Sequence, residues 1–239
     1  MPTAARIETD VIVVGGGGAA LAAASSARSA GAEVILLEKN PQLGGSTAWS
    51  VGSVTATQTP HQRKAGITDN PQDHLEDLKL FSSALKLEHR DNFELGRVLC
   101  DHSPAMFEWL LSAGLEFVGP FPEPPHRRPR MHNVLPNSRA FPYLLGRHCT
   151  KQGVAIHLNT EAQKLIIDNG RACGVIAREP DGTTCEYIAR KGVVLAAGDY
   201  IRGPILRFVP PMHTTLEQRL PPLPAITKLL NHQPSTRKS

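Results

Sequence analysis

Four consecutive glycines, Gly15 to Gly18, stand between the aliphatic run Val11 to Val14 and an alanine-rich segment. A strand that ends in G-x-G-x-x-G or G-x-G-x-x-A and opens onto a helix can hold a pyrophosphate. The first N–H groups of the helix are free, and its N-terminal end is partly positive. In the frame that begins at Gly15, Gly17 is the second position and Ala20 the third. These serve the tight turn, the close approach of phosphate to backbone, and helix-on-strand packing. The frame that begins at Gly16 places Leu21 where a small residue is needed, and it is rejected. Gly16 and Gly18 are then extras that the turn tolerates, and Gly16 and Ala19 join the candidate site as neighbours of the fingerprint. Glu38 lies 18 residues after Ala20, where a carboxylate accepts hydrogen bonds from the ribose hydroxyls of an adenosine and repels a 2′-phosphate, which argues against NADP.

The unit alone does not distinguish FAD from NAD. Soon after Glu38 and Lys39 come Gly44, Gly45, Ser46, Thr47 and Ser50, a second glycine and hydroxyl segment whose amides and hydroxyls suit a phosphate and an extended heteroaromatic ring. That favours a flavin dinucleotide over NAD. A further chemical signal lies between Gly119 and Pro142, where seven prolines accompany Arg127, Arg128, Arg130, Arg139, His126 and His132. The stretch reads as a long irregular loop. Its arginine forks suit a substrate carboxylate, with a solvated basic loop as the competing reading. His102, His148 and His157 fall within expected elements and read as packing or surface residues.

The elements that must position these residues begin with a strand at Asp10 to Val14, a helix from about Gly18 to Ala30 closed by Gly31, and a strand at Glu33 to Glu38. Amphipathic helices are expected over Asn70 to Leu87 and Asp91 to Ala113. Leu75, Leu78, Phe81 and Leu85 share one side of the first, Phe93, Leu95, Val98, Leu99, Met106 and Leu110 mark the second, and both helices are expected to pack on a sheet. A helix around Tyr143 to Gln152 precedes short strands, "VAIHLN", "AQKLIID", "ACGVIARE" and "TCEYIAR", with turns at Asn169-Gly170 and Asp181-Gly182. "KGVVLAAGDY" reads as one more parallel strand, separate from these. The last thirty residues, 210–239, hold six prolines and no glycine and read as a poorly ordered tail after a domain spanning 1–209.

Composition excludes several classes. The 239 residues are 41% hydrophobic and 20% charged with a formal net charge of +4, as for a soluble globular protein. Aromatic content is 5%, too low for the stacking surface of a nucleic-acid binder. Four scattered cysteines offer no Cys-x-x-Cys pair and no zinc spacing, so no metal site is expected. Neither a signal peptide nor a membrane span is legible, which makes the cytoplasm the expected location.

Taken together, "VIVVGGGGAALAAA", "AGAEVILLEKNPQLGGSTAWSVGS", "NTEAQKLIID", "GRACGVIA" and "GVVLAAGDY" resemble, in order and spacing, the FAD-binding domain of the fumarate reductase and succinate dehydrogenase flavoproteins, a family that includes ketosteroid dehydrogenases. The resemblance covers about residues 8–208. It implies an α/β fold, Rossmann-like, with a central parallel sheet, helices on both faces and a small antiparallel β-meander. It implies that Gly15, Gly17 and Ala20 hold the FAD pyrophosphate, that Glu38 and Lys39 meet the adenosine, and that Gly44, Gly45, Ser46, Thr47 and Ser50 approach pyrophosphate and flavin. Ala162, taken as preceding a meander strand, would touch adenine through its backbone, and Ala197 and Gly198 would lie near the cofactor. Val51 and Asp199 stand where relatives often have glycine. The implied activity is hydride exchange between flavin and an activated carbon–carbon bond of a small acid or enone. The family's capping domain has no counterpart here, so the chain reads as truncated, with no catalytic acid or base assigned and an inactive FAD-binding fragment as the alternative.

Overall fold

The computed structural model describes residues 5–84 and 86–198. Leu85, Asp199 and the expected tail over 210–239 lie outside the described residues. β1 (Ala5–Val14) runs through the glycines into α1 (Gly18–Ser29) and on to β2 (Val34–Leu37). Next come β3 (Ser53–Thr55), α2 (Pro60–Lys64), α3 (Pro71–Ala84) and α4 (Phe93–Ser112). β4 (Glu116–Phe121), β5 (Met131–Leu135) and α5 (Ala140–Lys151) lead to the last described elements, β6 (Ala155–His157), β7 (Glu161–Asp168), β8 (Arg171–Arg178) and β9 (Thr184–Leu195).

Six strands form the main sheet in the order β6-β2-β1-β9-β8-β7. From β6 to β9 all pairings are parallel, and β9, β8 and β7 form the antiparallel meander. All four residues of β2 are buried, as a continuous aliphatic run covered on both faces should be. On one face Val13 and Leu36 pack with Ala20, Leu21 and Ala24 of α1 and Leu145 and Cys149 of α5. On the other, Ile12, Val14, Ile35 and Leu37 pack with Ala162, Val175, Ala177 and Tyr187 of the meander. Helices thus cover the first face, and the strands of the meander cover the second.

Three expectations are corrected. "TCEYIAR" and the following aliphatic run are one strand, β9, and β1 begins at Ala5 to match it. The two pair from Ala5↔Cys185 to Val14↔Leu195, with a register shift between Thr9 and Val11. At that shift the Asp10 carboxylate accepts from Arg190 Nε at 2.9 Å, Lys191 Nζ at 3.1 Å and the Glu33 N–H at 3.1 Å. The Glu33 amide, then the two cations, hold its pKa down at about 2.

The proline-rich loop is likewise partly sheet. β3, β5 and β4 form a second, antiparallel sheet in that order, and Pro120 falls in an edge strand at the register shift between Val118 and Phe121, where a missing N–H is tolerated. α3 and α4, finally, pack against each other, and it is the C-terminal half of α4 that reaches a sheet, where Phe107 meets Phe117 of β4. Asn70 Oδ1 caps the first by accepting from Asp73 N at 2.8 Å, and Asn92 Oδ1 caps the second through Leu95 N at 3.0 Å. α4 buries Cys100, Ser103, Phe107 and Leu110, while Phe93, Leu95, Val98 and Leu99, expected against a sheet, are exposed.

Candidate dinucleotide site

The turn after β1 is built from backbone meeting backbone. Gly15 donates its N–H to Leu37 O at 2.8 Å. Its φ of +113° suits glycine, and a Cβ there would lie 2.4 Å from Ala196 O. Gly16 carries a steric duty that the sequence reading missed: a Cβ would meet Glu38 Oε2 at 2.7 Å and Leu43 Cδ2 at 2.8 Å. Leu43 also reaches α5, since its Cδ1 would touch a Cβ on Gly146 at 2.8 Å. It therefore wedges between the turn and α5, fixing the start of the second glycine segment.

That segment lies directly on the first. Gly44 donates to Gly16 O at 2.8 Å, and Gly17 and Gly44 form an isolated parallel bridge. A Cβ on Gly17 would find no heavy atom nearer than 3.8 Å, and one on Gly45 none nearer than 3.7 Å. The two glycines thus lie against each other's backbone at ordinary contact distance, with no side chain crowding either position. Gly17 is the N-cap residue of α1, and no acidic residue occupies the first turn of that helix. A backbone-lined turn at a helix N-terminus fits a pyrophosphate.

The remaining candidates fall around this turn. Ala20 is fully buried against the sheet and Ala19 is exposed beside the turn. Thr47 Oγ1 accepts from Gly18 N at 3.0 Å, so its hydroxyl already serves the first turn of α1. Ser50 donates to Thr47 O at 2.9 Å and accepts from Gly52 N at 3.3 Å. Ser46 is exposed on the 3-10 turn Gly45–Trp49. Trp49 and Val51 project into solvent, and the Arg139 guanidinium sits over the Trp49 ring at 5.3 Å.

Glu38 directly follows β2, with 6% of its surface exposed. Oε1 accepts from the N–H of Asn40 at 2.8 Å and from Asn40 Nδ2 at 2.6 Å. The Glu38 backbone bonds to His157 O and Thr160 N, and Asn40 O accepts from Asn159 N. These contacts bring the start of β7 to the end of β2, the end at which Ala162 was expected to act. Ala162 is the second residue of β7, opposite Ala177 and not ahead of the strand, and it is buried. Ala197 and Gly198 are exposed just beyond β9, where Ala196 N donates to Val14 O. Lys39 is exposed next to Glu38.

Much of the basic segment is tied up in internal ion pairs. Arg130 is fully buried. It grips Asp69 with two bonds of 2.7 Å and reaches Asp77 at 2.5 Å. Arg127 binds Asp77, Glu76 and Asp73 on α3. His126 Nδ1 contacts Arg130 at 3.0 Å, and His132 Nε2 meets Thr59 Oγ1 at 3.0 Å. Burial raises the pKa of Asp69, and bonds from Arg130 and Gln62 more than offset this to hold it at about 2. Burial lowers His74 and His132 to about 4, keeping both neutral. Of the six basic residues singled out, Arg128 and Arg139 alone are exposed without an ion pair among the described residues. His157 bonds Tyr187 OH, which donates to Glu179; His102 is exposed, and His148 lies edge-on to Trp109.

Comparison with known proteins agrees with this geometry. Residues 10–227 match the family described as "FAD binding domain". The chain is 30% identical over 201 residues to NADH:fumarate oxidoreductase of Klebsiella pneumoniae, covering 82% of this chain and 21% of that protein. It superposes with a TM-score of 0.73 and 27% identity on the open conformation of a flavocytochrome c3 fumarate reductase, over 81% of this chain and 34% of the other. For 3-ketosteroid-Δ4-(5α)-dehydrogenase of Rhodococcus jostii the TM-score is 0.71 with 26% identity, over 84% and 48%. The chain thus spans between about a fifth and a half of the length of these relatives. With its paired glycine segments, the buried carboxylate of Glu38 after β2 and this match over most of its length, the chain belongs to the FAD binding domain family.

Proposed function

We propose that this chain is the dinucleotide-holding part of a flavin-dependent oxidoreductase of the fumarate reductase type, acting on an activated carbon–carbon bond of a small acid or enone. The observation that carries the reading is the meeting of two glycine segments, backbone against backbone, at the N-terminus of α1 next to buried Glu38. Gly15, Gly16, Gly17 and Ala20 would set the turn and helix that face the pyrophosphate, with Ala19 beside them. Gly44, Gly45, Ser46, Thr47 and Ser50 would carry the chain from the phosphates toward the flavin, and Glu38 and Lys39 would meet the adenosine. Ala162, Ala197 and Gly198 would complete the rim. Bound FAD supplies hydride transfer, which no side chain can provide.

No acid or base is assigned. Arg127, Arg130, His126 and His132 are tied to internal partners, and this favours as a second reading a segment that binds FAD and turns nothing over by itself. No helix among the described residues is long and apolar enough to cross a membrane.

The test is reconstitution with FAD. The expected result is a yellow protein whose flavin is bleached by dithionite and reoxidised by fumarate or by an enone steroid. Bound flavin that neither acceptor reoxidises would select the second reading. Failure to take up FAD would overturn both.

A further inference from the structure

We propose that Asn40 is a positioning residue of the adenosine end of the site, holding the Glu38 carboxylate so that one oxygen is left for a ribose diol. The inference rests on the dinucleotide reading above. Glu38 Oε1 receives two hydrogen bonds, both from Asn40, one from its backbone and one from its side-chain amide. The other oxygen, Oε2, lies against the glycine turn, 2.7 Å from the place a Cβ on Gly16 would take. The carboxylate is thus fixed at one oxygen and presented at the other, next to the turn.

Asn40 cannot shift to follow a moving carboxylate, because its own carbonyl accepts from Asn159 N at 3.2 Å while Glu38 is tied to His157 and Thr160 on either side. Asn40 is itself exposed whereas Glu38 is buried, so the asparagine supplies, from the solvent side, the donors that a buried carboxylate requires. A carboxylate with one oxygen saturated by N–H donors is a pure acceptor at the other. That is the partner a pair of ribose hydroxyls needs, and it disfavours any ribose bearing a phosphate. An acceptor oriented before the ligand arrives avoids the entropy cost of ordering it on binding.

The test is a double-mutant cycle on the full chain, reading the affinity for FAD and for ADP, which carries the adenosine and the pyrophosphate without the flavin, by calorimetric titration. Asn40→Ala is expected to weaken both by about tenfold, the scale of one lost hydrogen bond to a charged group. Glu38→Ala is expected to weaken both at least as much, and adding Asn40→Ala to Glu38→Ala to change nothing further. Asn40→Ser, which keeps the backbone donor and a shorter side-chain donor, should fall between wild type and Asn40→Ala, and ligand-free melts identify any variant that has lost its fold. Unchanged affinity in both Asn40 variants, or the same loss with and without Glu38, would overturn the proposal. A wild-type chain that binds neither FAD nor ADP would instead remove the dinucleotide reading on which it rests.

Discussion

Replacing Arg130 by methionine removes three hydrogen bonds to two carboxylates in a fully buried setting. Breaking a buried pair by deleting one partner costs about 3–5 kcal/mol, because the other charge stays behind unpaired. Asp77 keeps Arg127, at 2.7 Å, so the orphaned charge is Asp69, which is 7% exposed and keeps the neutral Gln62 amide. The structure sets the pH signature. In the wild type Asp69 is lowered from 3.8 to about 2, worth roughly 2.4 kcal/mol at about 1.36 kcal/mol per unit. That contribution is complete above the unfolded value of 3.8 and is lost as pH falls through 2. Without Arg130, burial dominates and raises Asp69 above its unfolded value, so the variant is penalised as pH rises. Urea unfolding followed by tryptophan fluorescence at pH 4, 5.5 and 7 should show a gap between wild type and Arg130→Met that widens with pH and reaches about 3–5 kcal/mol at pH 7. Adding Asp69→Leu to Arg130→Met should recover most of it. A gap below about 1 kcal/mol at pH 7, or one that stays constant from pH 4 to 7, would refute the reasoning.

Two substitutions separate steric duty from ligand duty in the glycine turn. Gly16→Ala, whose Cβ would collide with Glu38 and Leu43, should lower the melting temperature of the ligand-free protein by an amount equivalent to about 1–3 kcal/mol. Gly17→Ala, whose Cβ would meet no atom nearer than 3.8 Å, an ordinary contact, should leave that melt within about 0.5 kcal/mol of wild type and still weaken FAD binding in a titration. Thr47→Val removes the acceptor for the Gly18 N–H and should cost about 1 kcal/mol in urea unfolding; an unchanged midpoint would mean that the hydroxyl does not cap α1.

Residues Val11 to Glu38 were legible in the sequence because every signal there is local: an aliphatic run, glycines, a helix former and a terminal acid. What escaped reading depends on distant partners. β1 extends back through Ala5 to Thr9, a polar stretch with no apolar run, because the outer half of β9 pairs with it. Arg190 and Lys191 interrupt the apolar pattern of β9 and suggest a turn, yet Asp10 and Glu33 neutralise them at a register shift. Arg130 sits in a proline-rich, basic setting that suggests solvent, and its partners Asp69 and Asp77 lie 61 and 53 positions away. A hint was present in Asp69, Asp73 and Asp77, spaced by four, although nothing local assigns them to an arginine. Gly16 looked dispensable for a related reason, since the atoms that exclude its side chain belong to Glu38 and Leu43.

The pairing of β1 with β9 also bears on how the protein is made. Of the described strands β1 is made first and is central to the sheet, and one of its two neighbours lies about 180 residues downstream. Until Leu195 emerges, β1 has β2 on one side and a bare edge on the other, a template for unwanted strand pairing. Closing so large a loop is slow, because its entropy is lost before the contact forms. The four-point charge cluster of Asp10, Glu33, Arg190 and Lys191 marks where that closure is registered. A shift of one residue there would turn the aliphatic side chains of β9 to the wrong face of the sheet.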